Sequence, residues 1–504
     1  MNLFDAIFTH DPSSPAILFG RRRITYGELR VETLKMAQVI RSLGVETGDR
    51  VALLLNDSPE FVEAFIATCS LGAIVVPINM ALRAEDQCSI LHNSGASLAF
   101  MEADTRKDLL THAPEKLRLL KNVVNAQTLK GLLDQQPAVE ELQFPSPANN
   151  QQAFILYTSG STGEPKGAVH RQADIFYTNQ TYCSEVLRLT TQDRLFSSSR
   201  LPFAYGLGNS FSFPLLNGAT TILLREKPSP DVIARVFTEH RPTIFFGVPV
   251  IYNLLLEHHR RGNRLDCSSL RLCIAAGEAL PAHLGEEWER EFGVQVLDGI
   301  GSTEMLHMFM SNHENDVRYG SSGRLLEGYE ARLLDEHGEP APRGAEGNLW
   351  IKGDSAAMYY WERPEITART FVDGWVRTGD LYRCDEDGYW YHMGRSDDCF
   401  KSSGQWVSPV EVEGVLLRHP GVARVAVVED FDSDQLPCAC AFVVKQDVES
   451  DSGPFENALR ALAAESLPRF KQPRKYMFVS ELPYTATGKI QRFKLRQQLR
   501  EAKA

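Results

Sequence analysis

What this chain lacks narrows it first. No apolar run approaches the ~20 residues a helix needs to cross a bilayer. Met1-Asn2-Leu3-Phe4-Asp5 has neither the basic stretch nor the apolar core of a secretion signal. An excess of positive charge is absent too: 53 Lys and Arg face 65 Asp and Glu, a formal net charge of −12. That balance argues against broad binding to nucleic acid or to an anionic membrane, and leaves room for a local phosphate site. The nine cysteines are scattered without metal-like spacing, which suits a reducing cytosol. Cys438 and Cys440 stand two apart and read as small side chains on one face of a buried strand, not a redox pair. The expectation is a cytoplasmic protein with neither nucleic acid nor membrane among its partners.

A hydrophobic content of 43% and a charged content of 23% are ordinary for a globular protein, and 504 residues exceed what one core usually supports. Two or more domains are expected. From about residue 24 to 150, helical and strand patterns alternate. Thr25 caps an amphipathic helix with Leu29, Leu34, Ala37, Ile40 and Leu43 on its apolar side. Val51-Ala52-Leu53-Leu54-Leu55 is a continuous apolar run of the kind found in buried parallel strands. Asp57-Ser58-Pro59-Glu60 starts a further helix, with proline early, where its missing N–H costs nothing. This alternation predicts an α/β fold, a sheet covered by helices.

After the short apolar strand Ala153-Phe154-Ile155-Leu156 comes Tyr157-Thr158-Ser159-Gly160-Ser161-Thr162-Gly163-Glu164-Pro165-Lys166-Gly167. Glycines let successive backbone N–H groups close around an anion, the hydroxyls add donors, and Lys166 adds a point charge. The nucleoside-triphosphatase pattern G-x-x-x-x-G-K-[ST] does not fit, because Pro165 or Ala168 falls where its second glycine belongs. Further on, Asp298-Gly299-Ile300-Gly301-Ser302-Thr303-Glu304 puts a hydroxyl beside a carboxylate after two glycines. That suits a place where magnesium, which prefers carboxylate oxygen, meets a phosphate. Asp380 follows a glycine in Arg377-Thr378-Gly379-Asp380 and can accept both hydroxyls of a ribose.

These segments resemble, in order and nearly letter for letter, the motifs of the acyl-adenylating (ANL) superfamily. The wording is closest to its aryl-CoA synthetase branch, the benzoate-CoA ligases. The resemblance spans essentially the full chain. It implies a large N-terminal domain of helix-covered sheets with a small β-barrel-like part, residues 1–396, and a small mobile α+β domain, residues 397–504.

It also implies roles. Residues Thr158, Ser159, Gly160, Ser161, Thr162, Gly163 and Lys166 would hold the β- and γ-phosphates of ATP. The segment Ala276-Gly277-Glu278 would pass beside adenine, with Asp298 and Gly299 near the nucleotide. Thr303 would contact the α-phosphate, Glu304 would hold Mg²⁺, and Asp380 and Arg395 would take the ribose and phosphate. Phe203, Ala204 and Tyr205, with Gly299, Ile300, Gly301 and His307, would wall the acyl pocket. Amino-acid-activating relatives carry an aspartate near Phe203, so its absence implies a neutral, flat, apolar acid. His307 would be a pocket residue and not a general base, since a carboxylate needs none at pH 7. Asp397 would be the hinge, Ser403 and Gly404 the tunnel for coenzyme A, and Lys489 the catalytic lysine. The adenine segment departs from the usual wording at Glu278, and the hinge region at Cys399-Phe400-Lys401-Ser402-Ser403.

The implied activity is ATP-dependent ligation of benzoate, or a simple substituted benzoate, to CoA through an acyl-adenylate, with ATP, Mg²⁺ and coenzyme A as cofactors. A carrier-protein-loading adenylation enzyme and a ligase for aminobenzoate, hydroxybenzoate or a short aliphatic acid are the alternatives. Because only residues 490–504 follow Lys489, with no room for a fused carrier domain, free CoA is the expected acceptor. A homodimer is admitted by the sequence.

Overall fold

The continuous apolar runs become the inner strands of two sheets with parallel centres. The computed structural model describes residues 2–112, 120–159, 165–402, 405–432, 436–446, 452–484 and 490–501. Two compact units divide the chain: Met1–Tyr319 with Gly323–Glu330 and Ile351–Val376, and Gly320–Ser322 with Ala331–Trp350 and Arg377–Ala504. Residues 396 and 397, where the sequence suggests a boundary, both lie in the second unit.

In the first unit, Thr25 caps helix Tyr26–Ser42 through a reciprocal pair of bonds with Glu28. Leu29, Leu34, Ala37 and Ile40 are fully buried along that helix, while Leu43 is its C-cap and only partly buried. Ser58 caps helix Pro59–Ser70 by accepting from the Phe61 N–H, with Pro59 in the first turn. Among the described residues a seven-stranded sheet runs from Tyr359–Tyr360 through Pro165–Arg171, Gln152–Ser159, Ile74–Pro77, Arg50–Leu54 and Leu98–Met101 to Asn122–Asn125. A nine-stranded sheet runs from Arg324–Leu325 through Met308–Ser311, Val296–Gly301, Leu272–Ala275, Ile244–Gly247, Arg194–Ser197, Thr220–Leu223 and Pro15–Phe19 to Arg22–Thr25. Its inner strands are parallel and its edges antiparallel. Such strands are buried on both faces, which is why they read as unbroken apolar runs.

Strand Trp375–Cys384, most of which belongs to the second unit, pairs antiparallel with Trp390–Arg395 beside Glu346–Lys352 and Glu330–Leu334. Gly379 sits within the first of these strands at a φ of 76°. A hairpin, Phe400–Ser402 with Gln405–Val407, precedes helix Pro409–Leu416, capped by Ser408. A three-stranded sheet of Val422–Phe431, Pro437–Lys445 and Lys475–Phe478 follows, with helices Ser452–Ser466 and Arg492–Glu501. Cys438 and Cys440 are buried in Pro437–Lys445.

Candidate active site

Parallel sheets place ligands beyond the carboxyl ends of their strands, and in the first unit Thr158, Ala276, Gly277 and Thr303 lie at or just past such ends. The strands Gln152–Ser159 and Pro165–Arg171 pair so that Thr158 stands opposite Lys166, which puts both side chains on one face. Gly160, Ser161, Thr162 and Gly163 lie outside the described residues. In the other sheet Ala275 is the register partner of Asp298, so the turn Ala276-Gly277-Glu278 lies alongside the start of Gly299-Ile300-Gly301. Gly277 takes a φ of 95°, the left-handed conformation that favours glycine. Pro281 is the N-cap residue of helix Ala282–Phe292.

Asp298 points into the protein, not outward. It is 3% exposed, and its Oδ2 accepts from the Leu280 N–H at 3.1 Å. Burial pushes its carboxyl up to about 8.

The aromatic segment forms helix Ala204–Leu207, a wider π-helical turn Gly208–Ser212, and helix Phe213–Leu216. The widened turn carries Asn209 inward, where its Oδ1 accepts from Nε2 of His307 at 3.1 Å. The imidazole is enclosed by the rings of Tyr182 at 5.0 Å, Tyr205 at 5.7 Å and, edge-on, Phe213 at 4.6 Å. Burial lowers its pKa to about 3, so it stays neutral at physiological pH. Tyr205 directs its hydroxyl to the carbonyls of Gly247 (3.4 Å) and Ile274 (3.3 Å), at or near the ends of two parallel strands. Ala204 is buried and Phe203 half-buried. Two glycines let His307 sit this close. A Cβ at Gly208 would come within 2.4 Å of the His307 ring, and one at Gly301 within 2.4 Å of its carbonyl oxygen.

Thr303 and Glu304 follow in a turn stabilised from several elements. The Thr303 carbonyl accepts from the Leu306 N–H at 3.2 Å and from His170 Nε2 at 2.8 Å. The Glu304 carbonyl accepts from the Ala357 N–H at 2.7 Å, and its Oε1 accepts from the Tyr360 hydroxyl at 2.5 Å. Lys166 Nζ lies 5.5 Å from the centre of the same Tyr360 ring. Tyr360 thus touches both the lysine of the phosphate loop and the carboxylate of the second motif. The sequence did not single it out, because its bond to Glu304 spans 56 residues of chain.

In the second unit, Asp380 and Arg395 are register partners, and Arg395 Nη1 donates to Asp380 Oδ1 at 2.9 Å. His392 Nε2 lies 3.5 Å from the same oxygen. Burial alone would push the Asp380 carboxyl up, but the Arg395 charge and the His392 contact outweigh it and hold it at about 2. Asp397 is exposed, whereas Asp398 is ion-paired to Arg496 at 3.0 Å and Arg492 at 3.7 Å on the last helix. Ser403, Gly404 and Lys489 lie outside the described residues.

A hairpin at the phosphate loop, a hydroxyl–carboxylate turn and a buried neutral histidine among aromatic rings at strand ends fit an adenylate-forming enzyme. The AMP-binding enzyme family matches residues 4–361, and the C-terminal domain of AMP-binding enzymes matches residues 411–489. The chain belongs to this family, the acyl-adenylating superfamily, and within it to the branch of aryl-CoA ligases. It is 40% identical over 486 residues to a benzoate–CoA ligase of Thauera aromatica, covering 94% of this chain and 90% of that one. The crystal structure of a benzoate CoA ligase from Burkholderia xenovorans LB400 superposes with a TM-score of 0.89 at 37% identity, over 98% of this chain and 100% of that one. The anthranilate CoA ligase AuaEII, in complex with anthranoyl-AMP, gives 0.93 at 35% identity, over 99% and 97%. No described helix is long and apolar enough to cross a membrane.

Proposed function

We propose that this chain joins benzoate, or a simple substituted benzoate, to coenzyme A at the expense of ATP. The observation that carries the reading is the enclosure of a neutral His307 by Tyr182, Tyr205 and Phe213. Surroundings of this kind suit a flat apolar acid, whereas an ammonium group buried there without a counter-charge would be costly.

The aryl carboxylate attacks the α-phosphorus of ATP, forming the aryl-adenylate and releasing pyrophosphate. Thr158 and Lys166, with residues 159–163, hold the β- and γ-phosphates, and Thr303 donates to the α-phosphate. Glu304 offers a single carboxylate, which fits magnesium, an ion that takes one or two carboxylates and completes its shell with phosphates and water. Bound there, magnesium would offset phosphate charge. Asp380, held ionised by Arg395, accepts the ribose hydroxyls. Ala276 and Gly277 line the adenine, with Glu278, Asp298 and Gly299 close to the nucleotide. Lys489 stabilises the charge on the transferring group; the C-terminal family match that ends on this residue supports that role. Residues 397–504 then turn about Asp397, Ser403 and Gly404 make room for the pantetheine arm, and the CoA thiol displaces AMP. The compartment that goes with this chemistry is the cytoplasm.

A second reading, an aminobenzoate or hydroxybenzoate, is favoured by the likeness to an anthranilate CoA ligase. One ring substituent is a difference that a single pocket contact can decide. A panel of aryl and short aliphatic acids, assayed for CoA-dependent AMP release, tests both. Turnover of aliphatic acids alone would overturn the aryl assignment.

A further inference from the structure

His170 is the penultimate residue of the strand that leads away from the phosphate loop, and it is fully buried. Its ring stacks on Phe154 at 5.2 Å with an interplanar angle of 16°. Packing alone would be served as well by an apolar ring. This one has a polar partner at each nitrogen: Nε2 lies 2.8 Å from the Thr303 carbonyl oxygen, and Nδ1 lies 2.9 Å from Asp174 Oδ2. A carbonyl oxygen only accepts, so Nε2 carries a proton and donates it. Asp174 is buried and also accepts from the Arg171 N–H at 3.0 Å and from Arg171 Nε at 2.8 Å. Arg171 in turn donates through Nη2 to the Asp354 carbonyl at 2.6 Å.

These contacts run from the strand behind the loop to the turn that presents Thr303 and Glu304. That turn includes Leu306 at a φ of 64°, a conformation a leucine holds only when its surroundings impose it. With the Leu306 N–H and His170 both bonded to it, the Thr303 carbonyl has its two acceptor positions filled and its peptide plane fixed.

We infer that His170 is a positioning residue for adenylation: by holding the Thr303 carbonyl it sets the peptide that carries Glu304, so that the carboxylate and the phosphate loop keep one register. Asp174 orients the ring and touches no substrate. This inference rests on the reading of Thr303 and Glu304 given above.

The test is aryl-acid-dependent pyrophosphate exchange on full-length protein, titrated with Mg²⁺, for His170→Asn, His170→Gln and Glu304→Gln. Glutamine can place an amide N–H about where Nε2 sits; asparagine is too short. His170→Asn is expected to lose about tenfold in rate, the effect of one buried hydrogen bond, and to need several-fold more Mg²⁺ for half-maximal exchange. Its KM for the aryl acid stays within about twofold, because that contact is made elsewhere. His170→Gln should recover most of the rate. Rates are referred to the protein fraction that binds the aryl acid, which removes misfolded material from the comparison. Equal behaviour of the asparagine and glutamine variants, or an unchanged Mg²⁺ requirement in His170→Asn, would overturn the positioning role. If Glu304→Gln itself left the Mg²⁺ requirement unchanged, the reading of the site would fall first. A shift in Glu304→Gln without one in His170→Asn sinks the His170 inference alone.

Discussion

The state of His307 can be tested by acid. Burial lowers its pKa from an ordinary 6.5 to about 3. The unfolded chain binds a proton at this residue below pH 6.5, and the folded chain does not until near pH 3. Its contribution to stability is therefore complete above pH 6.5 and falls as pH drops. At pH 5 the loss is 1.5 pH units times ~1.4 kcal/mol, about 2 kcal/mol. Other groups oppose it: burial raises Asp298 and Glu63 to about 8 each, so both favour the folded state as pH falls. The measurement must therefore be differential. Urea unfolding of wild type and His307→Gln at pH 7.5 and 5.0 should show the wild type losing about 2 kcal/mol more than the variant over that interval. Histidine-labelled protein gives the direct reading, with the resonance missing in His307→Gln staying at its neutral position down to pH 5. Parallel stability curves, or a resonance titrating near pH 6.5, would refute the enclosed neutral pocket.

Three further outcomes follow from the same geometry. Tyr360→Phe removes a hydroxyl that donates to Glu304 across 2.5 Å, and a bond to a charged group of this kind is worth about 1.5–3 kcal/mol, so pyrophosphate exchange should fall by roughly ten- to a hundredfold. Gly208→Ala places a methyl 2.4 Å from the His307 ring, so KM for the aryl acid should rise steeply in steady-state assays while ATP binding is kept. Lys489→Ala should abolish adenylation yet leave thioester formation from a supplied aryl-adenylate largely intact; an unchanged adenylation rate would sink the proposed role of the lysine.

Much of the fold was legible because it rests on local signals. The Thr25 cap, the Ser58–Pro59 start and the unbroken apolar runs each state an element within a few residues, and each element forms where expected. The contacts of the site were less legible because they are long-range. Nothing near Tyr360 in the chain announces a bond to Glu304, 56 residues away, and His170 meets Thr303 across 133 residues. The widened turn at Gly208–Ser212 was also hidden, since a π-helical turn leaves the same apolar pattern as the helix around it.

The two aspartates of the glycine motifs show what sequence cannot resolve. Asp298-Gly299 and Gly379-Asp380 look alike on paper, each a carboxylate beside a residue that lets the backbone come close. Fold context drives them apart. Asp298 meets backbone N–H groups and, among the described residues, no cation inside the sheet, and burial holds its carboxyl at about 8, so at pH 7 it is mostly a neutral acid. Asp380 stands opposite Arg395 across a strand pair and titrates at about 2, so it is always an anion. Only an ionised carboxylate presents acceptors alone, and two vicinal hydroxyls need acceptors from the same group. The environment thus supports Asp380 as the ribose ligand. For Asp298 it supports a different job, holding the Leu280 N–H so that the turn from Ala276 to Gly277 stays beside Gly299.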